Sequence, residues 1–340
     1  MMWQIIGQGK AINLLQHGLQ NNPMHAYLFV GPEHIGKMTA AQNLAMALNC
    51  EASDRPCLVC PSCKKIAAGN HTDVRVIGIL QKEEEGEEAK VISIRQVEDI
   101  QHSASLPPFE GKHKVFIIDG AELLSGEAAN RFLKTLEEPE SNVTFILIAT
   151  NEKLLLPTVI SRCQRIEFPP VPVDELTKAL TEKMSIEPER AKLLAALSRG
   201  CPGWAIIATD DGSVLEKRKE DLDRLVSLIR AGAEERFAYA ARLAAGFTGD
   251  RKAVYDVLDM WRDYWRDMML VKFGNIHLIM NIDRKDEIIK LAGAFSLTNI
   301  KNFIKRLESA REQLSKNVNP RLALEVLMLD IPKEEVTTPI

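Results

Sequence analysis

Aromatic side chains are sparse in this sequence, 6% of 340 residues. No uninterrupted apolar run approaches the roughly 20 residues of a membrane-spanning helix. Also missing from the N-terminus, Met1-Met2-Trp3-Gln4-Ile5-Ile6-Gly7, are the basic segment, long apolar core and small-residue cleavage site of a secretory signal. A cytoplasmic protein with no membrane partner is the expectation. An excess of one charge is lacking too. The net charge of −4 gives no general attraction to DNA or to an anionic surface. Any nucleic-acid contact must then be local, through a basic patch or helix N-termini. Cysteine is scarce outside one segment: of six, four are crowded between Cys50 and Cys63. Cys163 and Cys201 stand alone and read as ordinary core residues. Such usage points to metal or free thiols rather than disulfides. Internal repeats and low-complexity tracts are absent.

What is present is enough apolar residue, 46%, for two or three domains. Up to about residue 168, strand-length apolar runs alternate with amphipathic helical stretches. Ala26–Val30, Val74–Ile79, Val91–Ile94, Val115–Ile118 and Phe145–Ala149 are the candidate strands, and the alternation predicts a largely parallel sheet flanked by helices. The run Gln81–Lys90 is rich in like charge and reads as a solvated hairpin loop in preference to an acidic ligand site. Pro169-Pro170-Val171-Pro172 reads as a stiff linker, because proline fixes φ and cannot donate to a ladder. Short helices follow from about Asp174 to Asp211, broken at Gly200-Cys201-Pro202-Gly203. The stretch from about Gly212 to Pro332 is helical almost throughout.

The first run ends in Gly31-Pro32-Glu33-His34-Ile35-Gly36-Lys37, followed by a helical pattern. This is G-x-x-x-x-G-K between strand and helix, the setting a phosphate-binding loop requires. Its glycines let amide groups face phosphate, the helix N-terminus adds positive potential, and Lys37 reaches the outer phosphates. One position departs: the residue after the lysine carries no hydroxyl for Mg²⁺ but is Met38. Thr39 cannot simply replace it, since one helical step turns its side chain by about 100°. Lys114–Asp119 is an apolar strand ending in aspartate, the Walker B pattern that positions a metal. Ring ATPases follow it with a glutamate that polarises the attacking water, and Gly120 takes that place here. Glu122, two residues on, is either a substitute or, the reading preferred here, a solvated surface carboxylate.

Four strings, His25–Gly31, Ala129–Pro139, Ser161–Gln164 and Asn317–Leu327, resemble the bacterial clamp-loader family of DNA polymerase III. The likeness runs from Ile5 to near Leu329. It implies an α/β AAA+ P-loop domain over 1–168 with an inserted four-cysteine zinc module. A small α-helical lid over 169–211, an all-α collar over 212–332 that joins five subunits in a ring, and a tail over 333–340 would follow. The implied partners are subunits of gamma, tau and delta type, the sliding clamp, and primed DNA through the ring. The family's motor subunits also keep a lid arginine where Trp204 stands, with Arg199 at a different point of the motif. With three departures, the chain is expected to lack ATPase activity of its own. The polymerase activity belongs to the holoenzyme. Gly31, Gly36, Lys37, Thr39, Asp119, Thr150 and Asn151 would form a weak or vestigial ATP or ADP site. Thr150 and Asn151 fall in the sensor 1 region, though a plain cap suits either nearly as well.

Cys50, Cys57, Cys60 and Cys63 offer four thiolates, and C-x2-C pairs supply the tetrahedral geometry of structural Zn²⁺. An iron–sulfur cluster is the alternative, but its C-x2-C-x2-C-x3-C spacing is not matched. The family carries a similar knot with a longer first spacing. Ser161-Arg162-Cys163 matches the family's arginine-finger motif, which implies that Arg162 reaches a neighbouring subunit's nucleotide. In the collar, Trp261, Tyr264, Trp265 and Met268 fall at i, i+3, i+4 and i+7, a core or subunit-contact stripe in preference to a nucleic-acid stack. Two other readings remain: an active ATPase of gamma or tau type, and a zinc-bearing binding module with a dead P-loop.

Overall fold

Short runs rich in β-branched and aromatic residues pair into one sheet. They are β1 (Ala26–Val30), β2 (Val74–Ile77), β3 (Lys114–Asp119), β4 (Val143–Ala149) and β5 (Gln164–Glu167), ordered β2-β3-β4-β1-β5. All four pairings are parallel, with Val30 opposite Ala149 and Asp119 opposite Ile148. The sequence-based α/β expectation holds. β1 and β4 are buried at every position, as a sheet covered on both faces requires. The computed structural model describes residues 3, 5–21, 23–79, 91–316 and 318–333. The acidic run expected as a loop at Gln81–Lys90 lies outside them, as does the tail beyond 333.

Helix α1 (Gly9–Asn21) precedes β1, and α2 (Lys37–Asn49), α3 (Pro61–Ala67), α4 (Ile94–Ala104), α5 (Gly126–Glu137) and α6 (Pro157–Ile160) connect the strands. Phe116 stacks on Phe145 at 5.5 Å, and Phe132 of α5 meets Phe145 edge-on at 5.2 Å, fixing one helical layer to the sheet. Two local expectations fail. Val91–Ile94 is no strand: Ile92 makes a single parallel bridge to Leu124, and Ser93 then starts α4 through a capping box with Gln96. The S-x-x-Q signal for a helix start outweighed the short apolar run. β5 was missed because Ile166 is its only buried residue, as befits an edge strand.

The chain divides into two compact units, Met1–Ile186 with Gly200–Trp204, and Glu187–Arg199 with Ala205–Ile340. The segment expected as a lid contributes to both. Its helices are α7 (Val173–Met184), α8 (Pro188–Leu197) and α9 (Pro202–Asp210). Between α8 and α9 the backbone turns through Arg199 (φ 54°) and Gly200 (φ 76°). A Cβ on Gly200 would stand 2.6 Å from the Val171 carbonyl oxygen, so only glycine fits there.

The second unit continues with α10 (Gly212–Arg230), α11 (Ala233–Gly249), α12 (Arg251–Lys272), α13 (Lys285–Gly293), α14 (Leu297–Ser315) and α15 (Pro320–Leu329). The α12 stripe is core: Trp261, Tyr264, Trp265 and Met268 have no solvent exposure. Trp265 meets Phe295 at 5.2 Å and Phe303 at 4.7 Å. Asp267, wholly buried, accepts from the Met280 and Asn281 amides and from Asn281 Nδ2 at 2.7 Å. A second buried charge is Arg236 of α11. Its guanidinium donates to the carbonyls of Leu228, Ile229, Met328 and Ile331. Two of these lie in the last turn of α10 and one in the last turn of α15, where a cation meets the negative ends of both helices.

Arg236→Ala would take the guanidinium from four carbonyls, of which only that of Leu228 keeps a backbone donor, the Ala231 amide, among the hydrogen bonds described. We expect it to lower stability by about 3–5 kcal/mol, read as a shift of the urea midpoint, with Arg236→Lys recovering only part.

Candidate functional site

β1 runs into the phosphate-loop sequence, and α2 leaves it. Gly31 is fixed by close approach, since a Cβ there would lie 2.4 Å from the Phe168 carbonyl oxygen. Gly36 caps α2 with φ 104°, in the left-handed region that suits glycine. His34 is also left-handed (φ 58°), and its carbonyl accepts the Gly203 amide at 2.8 Å. The loop is thereby tied to the first turn of α9 within the same unit. Lys37, the first residue of α2, is buried and bends back on its own loop. Its Nζ donates to the carbonyls of Gly31 and Pro32, the latter at 2.6 Å. Burial pushes its ammonium pKa down, with Glu122, Asp119 and Glu33 opposing. Asp119, at the end of β3, is pushed up by burial, against the pull of Lys37.

Glu122 is not a freely solvated surface carboxylate. It is half-buried, and its Oε1 accepts both the amide of Thr150 at 2.8 Å and the Thr150 hydroxyl. Its Oε2 is sheltered from solvent and has no hydrogen-bond partner. Thr150 therefore lies beside the acidic residues at the sheet's C-terminal end. Asn151 instead caps a short 3-10 turn, accepting from the Lys153 amide at 3.1 Å. Met38 and Thr39 follow Lys37 on α2, half-exposed; the Thr39 carbonyl accepts from Asn43 at 2.7 Å.

Arg162 follows α6. Its Nη1 donates to the Thr158 carbonyl at 2.9 Å, and its Nη2 pairs with Glu137 at the end of α5. The side chain remains one-third exposed. Arg199, in the second unit, pairs with the buried carboxylate of Asp263 on α12. Trp204 stands half-exposed in the first turn of α9.

The sulfur atoms of Cys50, Cys57, Cys60 and Cys63 lie within 4.8 Å of one another, with Cys60 Sγ 4.0 Å from Cys50 Sγ. A tetrahedron with Zn–S bonds of about 2.3 Å has edges of about 3.8 Å, so the cluster fits a four-thiolate ion. The Val59 and Cys60 amides at Cys57 lower its thiol pKa to about 6, which favours a ligating thiolate. Cys63 is pushed up to about 12 by burial, a cost that a bound cation would relieve. With every ligand position filled by sulfur, such a metal would be structural. Cys163 is half-buried against the sheet's helical layer, and Cys201 is buried.

Comparison with known proteins adds the family. A model described as "DNA polymerase III, delta subunit" matches residues 7–172, and one described as "DNA polymerase III, delta subunit, C terminal" matches residues 216–333. The chain belongs to the DNA polymerase III clamp-loader subunits. It is 28% identical over 326 residues to DNA polymerase III subunit delta' of Bacillus subtilis, covering 95% of each chain. Against subunit tau of the same organism it is 28% identical over 357 residues, spanning 96% of this chain and 60% of that one. Subunit delta' of Pseudomonas aeruginosa is 34% identical over 210 residues, 61% of this chain and 62% of the other.

For this clamp-loader subunit, sequence reasoning missed three partners: Glu137 for Arg162, Asp263 for Arg199 and Thr150 for Glu122. All three pairs are distant in sequence, at 25, 64 and 28 residues. Only the fold brings them together. No helix among the described residues is long and apolar enough to cross a membrane.

Proposed function

We propose that this clamp-loader subunit is of the delta-prime type, a cytoplasmic member of a five-subunit ring that opens the sliding clamp and places it on primed DNA. It contributes geometry to that ring, and its neighbours of gamma or tau type hydrolyse the ATP. The observation that carries this reading is the pair of groups missing from the site: Met38 offers Mg²⁺ no hydroxyl and Gly120 offers water no base. Lys37 gives two of its three N–H donors to carbonyls of its own loop, which leaves one for a phosphate. Gly31, Gly36, Lys37, Thr39, Asp119, Thr150 and Asn151 then form at most a weak ADP or ATP site. Arg162 is the residue this subunit gives to a neighbour's nucleotide. Zinc at the four cysteines is structural.

The test is Lys37→Ala in a reconstituted ring. ATP turnover by the ring should stay within about twofold of the unsubstituted ring, and the isolated chain should show none in either form. A large loss would make this chain a working motor of gamma or tau type. Failure to join clamp-loader partners in a pull-down would leave only a zinc-bearing module with a disused phosphate loop.

A further inference from the structure

Gly120 does more than leave a base out of the site. Its backbone is left-handed (φ 75°, ψ 49°), a turn that suits glycine, and it carries the chain from β3 into the short 3-10 segment Ala121–Leu123. That segment is pinned. The Leu123 amide donates to the Gly120 carbonyl at 2.8 Å, the Leu123 carbonyl accepts the Ile92 amide at 2.7 Å, and Ala121 is wholly buried. Glu122 is thereby held at the C-terminal end of the sheet. Its partner Thr150 follows Ala149, which stands opposite Val30, the residue before the phosphate loop. The Gly31 amide donates to the Ala149 carbonyl at 3.3 Å, and Asp119 ends β3, the strand beside β4.

In this posture Glu122 cannot act as a base. Its Oε1 accepts two hydrogen bonds from Thr150, which fill both lone pairs, and its Oε2 is out of reach of solvent. Neither oxygen is open to an attacking water. What the carboxylate does instead is electrostatic. Burial pushes the Lys37 ammonium pKa down, and among the carboxylates that oppose this Glu122 is the strongest, ahead of Asp119 and Glu33. Burial pushes Asp119 up, Lys37 pulls it down, and Glu122 pushes it up again. Glu122 thus acts on both charges that a bound polyphosphate and its metal would meet.

We propose that Glu122 sets the nucleotide preference of this phosphate loop: it occupies both donors of Thr150 and fixes a negative charge beside them, so that a nucleoside diphosphate is admitted and a triphosphate is refused. The inference deepens the reading above and rests on it for the weak nucleotide site. A two-phosphate tail uses what the loop retains, its amides, the N-terminus of α2 and the remaining donor of Lys37. A third phosphate extends between Lys37 and the ends of β3 and β4, where a metal that would screen it finds no hydroxyl at Met38. There it gains no hydrogen bond from Thr150 and meets the charge of Glu122. Like charges a few ångströms apart, with water partly excluded, shift affinity by about tenfold or more.

The experiment titrates the isolated chain calorimetrically with ADP and with ATP, each with and without Mg²⁺. The unsubstituted chain should bind ADP about tenfold or more tighter than ATP. Glu122→Gln keeps an amide oxygen for Thr150 but removes the charge. ATP affinity should rise in it by more than ADP affinity does, so that the preference for ADP shrinks about tenfold. Glu122→Ala, which also frees Thr150, should shrink it at least as far. An unchanged preference in Glu122→Gln overturns the proposal. So does a preference that shifts only in Glu122→Ala, which would make Glu122 a prop for Thr150 and not a charge. Binding of neither nucleotide by any of the three forms overturns it as well, and leaves the non-hydrolysing reading in place. That reading fails separately, through a collapse of ring turnover in Lys37→Ala.

Discussion

In a mixed ring carrying Arg162→Ala, ATP hydrolysis at the adjoining motor site should fall by about 10- to 1000-fold, and clamp loading should fall with it. In the proposed role the guanidinium would neutralise charge that develops on the transferring phosphoryl group, an interaction absent from the ground state. Within its own chain the side chain is held by Thr158 and Glu137 on the surface of the sheet unit, not in its core. Its removal should therefore leave folding, zinc content and ring assembly as they were. Glu137→Gln provides a control: it removes only the carboxylate against which Arg162 rests, so the neighbour's turnover should hold or rise. Arg162→Lys should rescue poorly, because an ammonium is a point charge without the planar fork that bridges phosphate oxygens. Wild-type turnover in an assembled Arg162→Ala ring would leave this subunit a scaffold only.

Metal removal should cost stability as heavily as the loss of Arg236. One Zn²⁺ per chain is expected by elemental analysis, and Cys60→Ser should abolish it. Cys60 is only half-buried, so the serine hydroxyl itself costs little and the effect reports the metal. We expect a loss of roughly 3–5 kcal/mol, since the ion's binding energy is folding energy for the segment around it. A chelator should have the same effect on the unsubstituted chain and none on the variant. Iron in place of zinc, or no metal, would end the assignment.

The sheet was legible because its central strands are short apolar runs flanked by helical periodicity, and burial on both faces leaves no other use for such runs. Errors gathered where that signal is weakest. Gln164–Glu167 buries one residue and offers no apolar run, and the apolar run at Val91–Ile94 concealed a capping box that was itself readable in Ser93 and Gln96. At the site, residue identity alone exposed the missing hydroxyl at Met38 and the missing base at Gly120. What it could not give is the state of the residues that remain. That Lys37 binds its own loop, that Glu122 binds Thr150, and that Arg199 is committed to Asp263 are facts of three-dimensional neighbourhood. Spacing in the sequence carries no trace of them.

Arg236 also bears on the order in which the molecule is made. Two of the four carbonyls it holds, those of Met328 and Ile331, are 92 and 95 residues further along the chain. During synthesis, the sheet unit and most of the helical unit emerge before those acceptors exist. Until α15 arrives, this cation has only the end of α10 to hold. At ribosomal speeds of about 5–20 residues per second, that interval lasts on the order of 5–20 seconds. The last helix, in this light, is the clasp that a nascent chain waits for.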